Sequence, residues 1–141
     1  MIYPEKYLNE PSKRTPWIIM EPGKIFIMGR SIPENPGDFY RQIQAWITDY
    51  SKKYRGSTTI TLGFEYINTA SMKWIYTILR ELSQVREIAD KASIKWYYEE
   101  GDEDMKELGL ILRSLVLSPF SMVEVEDMGK ESYEMVLAGK K

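Results

Sequence analysis

Hydroxyl, carboxylate and guanidinium side chains gather at three places in this sequence, and each place suggests its own chemistry. The stretch Tyr66-Ile67-Asn68-Thr69-Ala70-Ser71-Met72-Lys73 sets hydroxyls between an alternating, strand-like run and an amphipathic, helix-like one. At a helix start free N–H groups point outward and the helix dipole is positive, so an anion is stabilised there. A phosphate on Thr69, with Lys73 one turn on, would sit in that field and add about −1.5 to −2 charges to a neutral surface. Asn68, Thr69 and Ser71 are also the residue types that simply cap helices.

The second place is the loop Arg30-Ser31-Ile32-Pro33-Glu34-Asn35-Pro36. A cation, a carboxylate and small polar side chains ahead of a helix suit a recognition loop, and equally a turn plus a cap. Glu34 could serve there as the base of a small carboxylate-dependent enzyme, which is the alternative reading of the chain. The third place is the acidic run Glu99, Glu100, Asp102, Glu103 and Asp104. It lacks the alternating ligands and bidentate Glu of a calcium loop, so a solvated turn is expected, with Asp102 to Asp104 favourably charging the next helix.

Other chemistries are closed off by composition. The 141 residues contain neither His nor Cys, which removes a His-dependent triad, a thiolate nucleophile and a zinc-thiolate site. With 19 basic and 21 acidic residues, no global positive field gathers nucleic acid. No phosphate-cradling glycine motif or Ser-centred nucleophile elbow occurs. Neither a cofactor nor a metal is therefore expected. Nothing approaches a signal peptide or a membrane span, so cytoplasmic localisation without membrane insertion is expected.

The elements that must position these residues follow from periodicity. Residues 1–16, broken by Pro4, Pro11 and Pro16, read as an irregular lead-in. Trp17–Met20 and Ile25–Met28 flank Pro22-Gly23 and predict a β-hairpin with a type II turn. Asn35-Pro36 has the form of an N-cap followed by proline, opening a helix whose stripe is Phe39, Ile43, Trp46, Ile47 and Tyr50. Ile60, Leu62, Phe64 and Tyr66 alternate as in a half-buried strand. Met72 to Ala89 keeps one apolar face and predicts a single long helix. A strand over 93–98 is expected to send at least one of Trp96, Tyr97 and Tyr98 to the far face. A helix over 105–117, weakened by Gly109, a strand over 120–126 and a frayed or weakly docked tail over 127–141 complete the chain. The alternation predicts one α/β domain spanning 1–141, with a mixed sheet and crossover helices.

Several ordered motifs together resemble the SiaC family of bacterial regulatory phosphoproteins. They are Gly29-Arg30-Ser31-Ile32-Pro33-Glu34-Asn35-Pro36 with Phe39, Tyr40 and Trp46; Tyr66 to Ser71 with Lys73; and Trp96-Tyr97-Tyr98-Glu99 with Asp102 to Met105. The resemblance covers roughly Thr15 to Phe120 and implies a STAS-like fold, similar to antagonists of anti-sigma factors. It implies partner switching, in which a kinase of the anti-sigma-factor type phosphorylates a helix-start hydroxyl and a PP2C-like phosphatase removes the phosphate. Thr69 matches the family's phosphorylated threonine. Ala70 stands where the family commonly has Ser, which removes one other acceptor and leaves Ser71 as a competitor. The unphosphorylated form is expected to bind and activate a diguanylate cyclase, raising cyclic di-GMP and promoting biofilm. A cap and a regulated hydroxyl are compatible roles for one residue. On this reading Arg30, Ser31, Glu34, Asn35, Asn68, Ser71 and Lys73 form the partner-binding set around Thr69.

Overall fold

The computed structural model describes residues 5–139; the start of the expected lead-in and the last two residues of the expected tail lie outside the described residues. Strands β1 (Tyr7–Asn9), β2 (Trp17–Glu21) and β3 (Lys24–Ser31) lead into helix α1 (Pro36–Lys53) and strand β4 (Thr58–Ile67). Helices α2 (Thr69–Ser83) and α3 (Arg86–Lys91), strand β5 (Ala92–Glu99), helix α4 (Glu103–Leu115), strand β6 (Phe120–Val125) and helix α5 (Lys130–Leu137) follow.

The six strands form one mixed sheet whose spatial order is the sequence order. β1–β2 and β2–β3 are antiparallel, and β3 to β6 run parallel. In the β2–β3 hairpin Gly23 takes φ +88°, the positive value that a type II turn after Pro22 requires. Crossovers between parallel strands share one hand. A sheet that adds each new strand on the same side therefore receives all its crossover helices on one face. Buried side chains from α1 (Tyr40, Ile43), α2 (Ile75, Leu79), α3 (Ile88) and α4 (Met105, Leu112) join Phe64 and Trp96 in one core there. The α/β class and mixed sheet expected from periodicity are observed.

Four local expectations are corrected. The lead-in contains β1, which pairs Tyr7 with Met20 and is tied down where Asn9 Nδ2 donates to the Pro16 carbonyl at 2.8 Å. The expected long helix is two: Gln84 and Val85 interrupt it, and Val85 caps α3 from an extended conformation. The tail holds α5, with Tyr133 only 2% exposed. Gly109 does not merely weaken α4, because a Cβ there would lie 2.4 Å from Trp96 Cδ1. Its bare backbone lets the helix approach the indole, whose Nε1 donates to the Met105 carbonyl at 2.9 Å.

Candidate functional site

The parallel strands β3, β4 and β5 end together, and their C-terminal ends carry the residues singled out by sequence. β4 stops at Ile67, and Asn68 caps α2 by accepting the Ser71 N–H on Oδ1 at 2.8 Å. The Asn68 N–H in turn donates to the Ser31 carbonyl at 3.0 Å, which ties the helix start to the end of β3. Thr69 is the first residue of α2 and is exposed, as is Lys73 one turn on. The first turn carries no acidic side chain, so nothing there offsets the positive end of the helix dipole.

Ser71 and Ser31 lie elsewhere than the partner-binding set required: both are fully buried. Ser31 Oγ and the Tyr40 hydroxyl are 2.6 Å apart. Ser71 Oγ lies against the same phenol outside good hydrogen-bond geometry. Burial pushes the Tyr40 phenol up to about 12, opposed by the two serine hydroxyls. Tyr40 also stacks on Trp74 at 6.0 Å, so this buried group joins α1 to the start of α2. Ser31 and Ser71 thus support the surface from below, with Ser71 buried and Thr69 exposed. The pattern had to mislead here, since Ser71 falls two positions into the helix on its inward face.

Arg30, Glu34 and Asn35 are exposed, but they do not form one cluster. Asn35 is the N-cap of α1, accepting the Asp38 N–H at 3.2 Å, and Glu34 stands beside it. Arg30 instead lines a polar crevice with Glu65, Tyr66, Glu99 and Asp102. Sequence reasoning placed Tyr66 on the inward side of β4, yet it is 51% exposed. The β3–β4 register slips between Gly29 and Arg30, pairing Gly29 with Phe64 but Arg30 with Tyr66, and this bulge turns Tyr66 outward. Asp102 caps α4 by accepting the Met105 N–H at 3.2 Å. Among the described residues no group of His, Cys, Asp and Glu side chains is arranged to hold a metal ion. No helix among them is long and apolar enough to cross a membrane.

Beside the polar crevice runs an apolar groove between α2 and α4. Thr69 and Lys73 line it together with Met72, Tyr76, Leu108, Ile111 and Leu115. Ile111 and Leu115 are 50% and 54% exposed, so α4 presents apolar surface in the groove that Thr69 lines. Leu108, Ile111, Leu112 and Leu115 recur at helical spacing, and the stripe they form is wider than the face that α4 buries.

The comparisons with known proteins agree with this architecture. A family model described as SiaC family regulatory phosphoprotein matches residues 9–125. An uncharacterised protein of Pseudomonas aeruginosa strain UCBPP-PA14 is 26% identical over 100 residues, covering 71% of this chain and 79% of that one. Among solved structures, SiaC of Pseudomonas aeruginosa superposes with a TM-score of 0.77 at 23% identity, covering 86% of this chain and 99% of that one. A structure of the diguanylate cyclase SiaD in complex with its activator SiaC, also from Pseudomonas aeruginosa, matches with a TM-score of 0.75 at 24% identity, over 84% and 99% of the two chains. These likenesses show a shared fold, and with the match of the family model over most of the sequence they place it: the chain belongs to the SiaC family of regulatory phosphoproteins.

Proposed function

We propose that this chain acts as one domain in the bacterial cytoplasm, docking on protein partners without chemistry of its own, with phosphorylation of Thr69 as its switch. The observation that carries this reading is the exposure of Thr69 at the first position of α2, on the rim of the apolar α2–α4 groove. The unphosphorylated groove offers apolar surface to a partner, Lys73 on its wall and Asn68 at the helix start offer polar recognition there, and the exposed Arg30, Glu34 and Asn35 offer further polar contacts outside its lining. A phosphate on Thr69 is stabilised by the helix start and by Lys73, but a partner must then desolvate a dianion to close over the groove. Each ~2.7 kcal/mol of that cost weakens docking about 100-fold. One surface read in turn by target, kinase and phosphatase makes their binding mutually exclusive.

By family membership, and by likeness to the activator in the SiaD complex, the proposed target is a diguanylate cyclase activated by the unphosphorylated form. The proposed modifying partners are a kinase of the anti-sigma-factor type and a PP2C-like phosphatase. Intact-mass measurement of the protein from its native cytoplasm with phosphatases inhibited, followed by fragment mapping, is expected to find phosphate on Thr69. Thr69→Ala should retain the cyclase in a pull-down and Thr69→Asp should lose it. A Thr69→Ala protein that still releases the target when kinase and ATP are added would overturn the mechanism.

A further inference from the structure

Because all the crossover helices lie on one side, the opposite face of the sheet needs its own cover. Phe26, Met28 and Tyr97 are buried on that face, and Ile19, Val123 and Val125 are partly so. Such a surface is unfavourable in water and must be occupied. Its occupant is α5 with the preceding residues: Met128 is 8% exposed and Tyr133 is 2% exposed. Gly63 makes room for them, since a Cβ on that residue would lie 2.7 Å from Met28 Cε and 3.0 Å from Met128 Cε.

Two observations mark this cover as separable from the rest. First, α5 has eight residues and follows Gly129, which gives it no side-chain cap, and a helix so short does not persist unless it is seated. Second, the family match ends at residue 125, after the last strand and before α5. The solved SiaC chain is 99% covered while only 86% of this chain is used.

Two carboxylates hold the cover down. The Tyr133 hydroxyl donates to Glu65 Oε2, and Glu99 Oε1 accepts the Met128 N–H at 2.8 Å. Both carboxylates also line the crevice with Arg30, Tyr66 and Asp102. Arg30 and Glu65 meet Lys130 and Tyr133 in an adjoining depression.

We infer that residues 126–139 are a releasable cover on the second face of the sheet, latched through Glu65 and Glu99 to the C-terminal strand ends that carry Arg30. A protein partner that engages Arg30 or Glu65 loosens α5, and a seated α5 holds those side chains in place. The link to partner binding rests on the proposed function; the cover itself does not.

Hydrogen exchange of the full chain, read by mass spectrometry of peptides, tests the latch without phosphate or partner. Tyr133→Phe and Glu65→Ala are each expected to speed exchange over residues 128–137 by about tenfold to a hundredfold, the scale of one lost hydrogen bond to a charged acceptor. Exchange in α1 and α2 should stay within about threefold of the parent. Glu65→Gln keeps an oxygen that accepts the phenol's hydrogen bond and should leave the cover seated. Unchanged exchange over 128–137 in Tyr133→Phe would overturn the inference. So would a rise shared with α1 and α2, which would make α5 an inseparable part of the global fold, or a Glu65→Gln protein that opens as Glu65→Ala does. Phosphate mapping at Thr69 is independent of all these outcomes, so failure of one proposal is distinguishable from failure of the other.

Discussion

One face of the sheet lies under helices that the chain must cross to join its parallel strands, while the other lies under α5, an eight-residue helix that follows the last strand. On the first face Phe64, Trp96 and residues of α1 to α4 interlock in a continuous core. On the second a smaller cluster is closed by Met128 and Tyr133 and fixed at its rim by carboxylates. Connectivity enforces the first cover. Only side-chain contacts hold the second, so the two faces should respond differently to the same perturbation.

The largest effect is expected at Trp96, which is fully buried, tilted against Phe64 at 5.7 Å and bonded to α4. Trp96→Ala should lower the free energy of unfolding by about 3–5 kcal/mol, with all elements melting together in urea. A loss below about 1 kcal/mol would break the contrast between the faces.

Alkaline pH comes next and acts on both faces. The Tyr40 phenol on the helix side is pushed up to about 12 by burial. Tyr133 on the α5 side is pushed up by burial and then by the hydrogen bond and charge of Glu65. A raised phenol favours the neutral form in the folded state. Its stabilisation is therefore complete below about pH 10, where the unfolded phenol begins to ionise, and is lost as pH climbs towards the folded value. For Tyr40 this is worth about 2–3 kcal/mol, visible as falling stability in unfolding curves between pH 9 and about 12. Stability that stays flat over that window would show that neither phenol is held neutral.

The smallest effect is at the cap. Asn68→Ala should cost about 1 kcal/mol and fray the turn that carries Thr69, read as faster amide exchange in the first turn of α2 alone. If that exchange is unchanged, the tie between Asn68 and β3 rather than the cap fixes the helix start.

Much of the first face was legible in the sequence, because its elements are long enough to show their period. The Pro22-Gly23 hairpin, the Asn35-Pro36 start of α1, β4 and β5 all occur where residue type and spacing demand them. Tyr97 departs from Trp96 and Tyr98 to the far face, as alternation requires. The second face was not legible. α5 is too short for periodicity to separate it from a tail, and its anchor Glu65 comes from β4, far away in sequence. The break between α2 and α3 was hidden too, since Leu82, Val85 and Ile88 keep an apolar spacing across it without Gly or Pro. At the site, the exposed Thr69 was readable from the strand–helix junction, whereas the inward turn of Ser71 follows from its place in α2 and the outward turn of Tyr66 depends on a bulge that only pairing reveals.

The order of the strands bears on how the molecule is made. Each strand hydrogen-bonds to the one before it in the chain, so during synthesis every new strand finds its template already present. No strand has to insert between two earlier ones, since each pairs with its neighbour in the chain. Each new strand lands on the free edge left by the one before it, and α5 then covers the second face of the finished sheet. A ribosome-bound chain can thus acquire its structure from the N-terminus onward, without waiting for its last residues.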